Sequence, residues 1–245
     1  MYNRSDVIYR YDGTFDGFLC CVFAAVYAGI LPADILDGDT LLPARTIETE
    51  PYKAARVAAG IEKKIAPAAH DLVRTAFCAD VPGKELPLLR FLLTGFSRGA
   101  AALTMYADED VAYVHRLAKA VGNEAHRMKE FLRFSDHDGA LTAVIAPRHD
   151  VLERIIPHFA ARLPRERFLI YDERRKKAYV HDGDTERVFY AESVDLPEPG
   201  AEERAFRRLW KLFYDTVEIA SRHNDRCRDR HLPKYYRGHM TEFKD

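Results

Sequence analysis

Phe131-Leu132-Arg133-Phe134-Ser135-Asp136-His137-Asp138-Gly139-Ala140-Leu141-Thr142-Ala143-Val144-Ile145-Ala146 is where this chain changes its period. Upstream of it, apolar residues recur three and four apart. Within it, two short apolar runs flank Asp136-His137-Asp138-Gly139, whose acids and glycine suit a hairpin turn. Helical patterning that gives way to paired strands predicts an α+β fold: a helical N-terminal layer, a central antiparallel sheet with a helix, and a C-terminal amphipathic helix and basic tail. The helical part is expected over about 14–130, the sheet-containing part over about 131–192, and the C-terminal helix and tail over about 201–245. All three belong to a single expected domain, 1–245.

Working outward, Val111, Val114, Ala118, Val121, Ala125 and Met128 share one face of a long helix that Asp108 caps. Leu89, Leu92, Leu93, Phe96, Ala100 and Leu103 predict a helix over 88–106, preceded by helices over 52–60 and 61–78. Phe15, Phe18, Leu19, Val22, Phe23 and Val26 predict the buried face of a helix that Thr14 caps and Gly29 and Pro32 stop. Residues 6–10 read as a short strand before the Tyr11-Asp12-Gly13 turn, and 31–51 as a connection. Downstream, Asp150 and Glu153 form a capping box for a helix through Ala161, and strands are expected over 168–171, 178–181 and 187–191. Residues 202–222 make a strongly amphipathic helix with Phe206, Leu209, Trp210, Phe213, Val217 and Ala220 expected to face inward.

Composition narrows the function classes. The 245 residues are 47% apolar, enough for a proper core, and the formal net charge is -1. A protein so nearly neutral cannot coat nucleic acid over its whole surface, so any such binding is confined to a patch. No apolar run approaches the ~20 residues that span a bilayer. The polar start Met1-Tyr2-Asn3-Arg4-Ser5-Asp6 is unlike a signal peptide. Cys20, Cys21, Cys78 and Cys227 lack metal-ligand spacing, and free thiols suit a cytoplasmic location.

Chemistry concentrates in the tail. Arg222, Arg226, Arg228, Arg230, Lys234 and Arg237 stand against Asp225 and Asp229, with Tyr235 and Tyr236 adjacent. Guanidinium groups beside stacking rings suit a phosphodiester strand; they equally suit a tail docked on its own chain. The run Asp172-Glu173-Arg174-Arg175-Lys176-Lys177 is either a solvated hairpin end or a phosphate-gripping loop. His126, in Glu124-Ala125-His126-Arg127, is the best candidate for a catalytic group, with Asp172 or Glu124 as partner, or else a satisfied boundary histidine. Gly95-Phe96-Ser97-Arg98-Gly99 matches the nucleophile-elbow pattern, but the helical period runs straight through it, which favours close helix packing at the glycines. His137-Asp138, His149-Asp150 and His181-Asp182 read as turn and cap chemistry rather than metal ligands.

Several of these motifs, in order, resemble the DUF4130 family, whose members are called probable DNA metabolism proteins. They are Tyr11-Asp12-Gly13-Thr14-Phe15-Asp16-Gly17, Glu124-Ala125-His126-Arg127, Phe131-Leu132-Arg133-Phe134, His158-Phe159 with Arg162, Asp172-Glu173 with Arg175, Leu209-Trp210-Lys211, Arg222-His223-Asn224 and Arg230-His231-Leu232-Pro233-Lys234-Tyr235-Tyr236. The family more usually carries Met and Trp where Leu232 and Tyr236 stand. The resemblance runs from about Val7 to Glu242 and implies an accessory protein of DNA repair or modification beside a radical SAM protein. It implies that the iron–sulfur cluster and S-adenosylmethionine belong to that partner and not to this chain. It assigns no catalytic residue. DNA would then meet Arg127, Arg133, Arg162, Arg174, Arg175, Arg222, Arg228, Arg230, Lys234, Tyr235 and Tyr236. The competing expectations are an enzyme that uses His126 on a damaged base or phosphodiester, and a docking subunit without DNA affinity.

Overall fold

A computed structural model describes residues 2–137, 139–183, 185–217, 219, 221 and 223–243. The fold is α+β, and the chain forms two compact units, Met1–Gly122 and Asn123–Asp245.

In the first unit, β1 (Asn3–Arg4) and β2 (Ile8–Arg10) lead into α1 (Phe15–Ala28). Thr14 caps α1, its hydroxyl accepting from the Gly17 N–H, and Gly29 closes it in the left-handed conformation. Gly17 is required by close approach: a Cβ there would lie 2.2 Å from Asp12 Oδ1. The stripe on α1 is rotated from expectation. Cys20, Cys21 and Ala25 are buried, Phe23 is half-buried and Val26 is exposed. The stretch read as a connection contains β3 (Ile30–Leu31), β4 (Ile35–Leu36) and β5 (Ala44–Thr46). Strands of two or three residues are too short for periodicity to reveal. β4 and β5 flank β2, both parallel to it, while β3 pairs with β1.

Three helices follow: α2 (Pro51–Lys64), α3 (Pro67–Phe77) and α4 (Glu85–Arg98), the last continued by a 3-10 segment over Gly99–Thr104. Pro51 and Pro67 each open their helix, where a missing N–H costs nothing. Ser97 lies exposed inside α4 with no strand before it, so the elbow pattern is helical. Gly95 serves packing, since a Cβ there would meet Ile65 Cδ1 at 2.3 Å.

α5 (Glu109–Phe131) carries the chain into the second unit. There β6 (Ser135–His137), β7 (Ala140–Ile145), α6 (Leu152–Arg162), β8 (Arg167–Asp172), β9 (Lys177–Asp182) and β10 (Glu186–Tyr190) form a five-stranded sheet in the order β10-β9-β8-β7-β6. The predicted antiparallel sheet needs one correction. β7 and β8 are parallel, with Leu141 opposite Phe168 and Ile145 opposite Asp172, because α6 returns the chain to the end where β7 began. The expected capping box also fails. Val151 is the N-cap, and Asp150 and Glu153 instead reach Lys177 at 3.4 and 2.7 Å.

The chain ends with α7 (Ala201–Thr216), α8 (Asp225–His231), α9 (Lys234–Arg237) and a 3-10 turn over Thr241–Phe243. α7 rests on β6 through Arg207, which donates to Ser135 Oγ at 2.5 Å, and through Glu203, which accepts from the Asp136 N–H. Its apolar residues are not inward. Phe206, Leu209, Phe213 and Val217 are 53–66% exposed, and among the described members of the predicted set only Trp210 is half-buried. Glu203, Arg207 and Tyr214 make the contacts of this helix and leave the stripe outward. Asp138, Ala220 and Arg222 lie outside the described residues. No helix of the described residues is long and apolar enough to cross a membrane.

Candidate functional site

The carboxyl ends of the parallel pair β7 and β8 gather a cluster of polar contacts, a position where open α/β sheets commonly hold ligands. Glu124, buried on α5, organises them. The N–H groups of Arg148 and His149 donate to its two carboxylate oxygens at 2.8 and 2.7 Å, and the Tyr236 hydroxyl donates to Oε1 at 3.3 Å. The connection from β7 to α6 is thereby pinned to the long helix. Arg127 lies over the Tyr236 ring, 5.9 Å from its centroid, and Phe131 packs against the same ring. Burial pushes the Tyr236 phenol above its ordinary value, Glu124 adding to the rise and Arg127 opposing it.

Asp172 is fully buried at the end of β8. It accepts from the N–H groups of Arg174 and Arg175 at 3.0 and 3.2 Å and pairs with the Arg175 guanidinium at 3.2 Å. Burial raises its carboxyl above the usual range, with Arg175 pulling it back. Arg175 also donates to the Pro147 and Arg148 carbonyls, tying the 172–177 turn to the neighbouring loop. Tyr235 donates to the Ala146 carbonyl while 51% of the residue stays exposed. His239 Nε2 lies 3.2 Å from Glu173, and Arg133 pairs at 2.9 Å with the buried Glu242. A shallow cleft runs between these parts, lined by Met128, Phe131, Arg133, Val144, Tyr235 and Tyr236.

The structure thus brings Arg127, Arg133, Arg174, Arg175, Tyr235 and Tyr236 to one end of the sheet. Arg127, Arg133 and Arg175 are engaged in structural contacts, as are the hydroxyls of Tyr235 and Tyr236. Arg162 ends α6, at the opposite end of the sheet from the 172–177 turn. The tail cations are interlocked with the tail's own acids. Arg228 meets Asp225 at 2.5 Å, Arg237 meets Asp229 at 2.5 Å, and Lys234 lies 3.8 Å from Asp229. The hydrogen bond from Arg237 holds the Asp229 carboxyl below its usual range. Arg230 is exposed on α8, and Arg222 lies outside the described residues.

His126 points away from both proposed partners. Its Nε2 lies 3.1 Å from Glu130, one turn along α5, with 73% of the side chain exposed. His149 and His181 are buried, the latter stacked on Phe168 at 4.9 Å. Among the described residues, no three His, Cys, Asp or Glu side chains gather as a metal-binding set.

Sequence reasoning missed Arg148 and placed Lys176 only within the 172–177 run; both are exposed on the two loops that Arg175 joins. The loops were legible, but their adjacency follows from the parallel pairing. It also missed buried Lys177, whose bonds to Glu153 and Asp150 outweigh desolvation and raise the amine above its ordinary value.

Residues 82–242 match the family model described as a domain of unknown function, DUF4130. No curated protein matches the chain.

Proposed function

The chain belongs to the DUF4130 family, and from that premise we propose that it is an accessory protein of DNA repair or modification that binds DNA and acts with a radical SAM enzyme. The observation that carries DNA binding is the exposed Tyr235 ring, held to Ala146 next to two cation-bearing loops, 146–151 and 172–177. A ring for stacking beside Arg148, Arg174 and Lys176 for phosphate is the chemistry a single strand needs. The buried contacts of Arg127, Arg133 and Arg175 shape it instead of touching DNA.

The geometry favours binding over catalysis at His126. Glu124 is committed to two backbone N–H groups and Asp172 to Arg175, so neither is poised to orient the imidazole. The cluster and S-adenosylmethionine would be the partner's, in a cytoplasm that keeps the four thiols reduced. A specific observation supports the partner: the outward apolar stripe of α7 is the kind of surface that marks a protein contact.

Fluorescence anisotropy with a single-stranded oligodeoxynucleotide across a KCl series tests the reading. Binding should weaken steeply with salt. Arg148→Ala with Lys176→Ala should lower the log–log slope by about 1.4, since each neutralised phosphate of a single strand contributes ~0.7. Absence of binding, with co-purification of the radical SAM partner intact, would leave the docking role alone.

A further inference from the structure

We propose that β10 is the surface on which a second copy of this chain docks, joining two sheets edge to edge. The two edges of the sheet differ. β6 is held against α7, whose Glu203 accepts from the Asp136 N–H and whose Arg207 donates to Ser135. β10 is exposed along its whole length, with Val188, Phe189 and Tyr190 42–75% exposed. It is the outermost strand beside β9 and carries neither proline nor lysine, two common blocks on an open edge. The ladder fixes which backbone groups are open. The Asp182 N–H donates to the Thr185 carbonyl and the Ala191 N–H to that of Lys176, so by alternation Arg187 and Phe189 turn their N–H and C=O groups to β9. Those of Glu186, Val188 and Tyr190 point off the edge, and among the described residues no backbone hydrogen bond reaches them there.

The order of residues on the strand selects a copy of itself. An antiparallel copy with Val188 opposite Val188 lets every outward residue pair at once: Glu186 with Tyr190, Val188 with Val188, and Tyr190 with Glu186. The same register sets Arg187 opposite the second copy's Phe189 on the other face, and again by symmetry, at the close spacing of a non-hydrogen-bonded pair. A guanidinium is attracted to a ring there, and a carboxylate meets a phenol on the Val188 face. A slip of two residues drops one backbone pair. It also brings Arg187 against Arg187, or Phe189 against Phe189 with Arg187 left without a ring. Complementarity thus belongs to one register, and that register is the two-fold one a closed dimer needs. The two-fold sets the 172–177 turns at opposite ends of the joined sheet, so each copy keeps its own rim and the dimer stands without the DNA reading.

Sedimentation velocity of the full chain across a concentration series tests the proposal. Dimer is expected to appear between ~1 and ~100 μM, the weak range of a small interface. Val188→Lys and Val188→Glu each place like charges on the two-fold axis and should weaken dimerisation ~tenfold or more. Mixed in equal amounts, the two variants should dimerise again, lysine opposite glutamate, a recovery that misfolded chains could not give. A wild-type chain that stays monomeric throughout overturns the proposal and leaves the edge to an extended segment of another protein. So does a dimer that Val188→Lys leaves intact, or a mixture no tighter than either variant alone, in chains with unchanged circular dichroism.

Discussion

The tail from Asp225 to Phe243 and the helix α7 ahead of it reverse the roles their compositions suggest. The tail is dense in arginine, yet Arg228 and Arg237 close on Asp225 and Asp229, and its end packs through Arg133–Glu242 and the ring pair Tyr214–Phe243. α7 is the most amphipathic helix, yet Phe206, Leu209, Leu212, Phe213 and Val217 face outward. Charge density does not measure charge availability, because acids three or four residues away neutralise it at close range. Amphipathicity, likewise, defines a face without saying what covers it.

The sharpest way to break this contrast is at Arg133. Its removal leaves Glu242 buried without a counter-charge, so Arg133→Ala should cost about 3 kcal/mol in urea unfolding, and Glu242→Gln in that background should recover part of it. A loss below ~0.5 kcal/mol would free Arg133 for an external ligand. Next in size is Lys177→Met, at about 1–2 kcal/mol, because Asp150 and Glu153 are half-exposed and rehydrate. The Lys177 amine is raised above 10.5 in the folded chain. Its contribution is therefore complete below about pH 10.5 and disappears as pH climbs through the folded value. Melting temperatures of the wild type and Lys177→Met should converge above that pH; a gap that widens there would reverse the sign.

A smaller effect is expected on α7. Phe206→Glu with Phe213→Glu should change stability by no more than ~0.5 kcal/mol, as exposed positions do, while abolishing co-purification with the proposed radical SAM partner. Destabilisation beyond ~2 kcal/mol would show that the stripe is covered within the chain.

Much of the fold was legible because it obeys local rules. Thr14 and Gly29 bound α1 as read, and the strands over 140–145, 167–172, 177–182 and 186–190 fall where alternation placed them, whereas β6 occupies Ser135–His137, read as the end of a strand over 131–135 and the turn after it. What escaped was non-local. The three-stranded sheet of the first unit is built from strands too short to show a period, and β7–β8 parallelism depends on the return of α6. The candidate site was half legible for the same reason. Tyr235, Tyr236 and Arg174 were visible as chemistry. Arg148 gained its place only through Glu124, twenty-four residues earlier, and through Arg175 on the next strand's turn.

In the proposed complex with DNA, the loops and not the tail supply the cations that meet phosphate. Salt-dependence slopes for a single-stranded oligodeoxynucleotide, measured in parallel for Arg148→Ala and Arg228→Ala, test this most directly. The predicted result is a slope reduced by about 0.7 for Arg148→Ala and unchanged within ~0.2 for Arg228→Ala. A reduction confined to Arg228→Ala would contradict it.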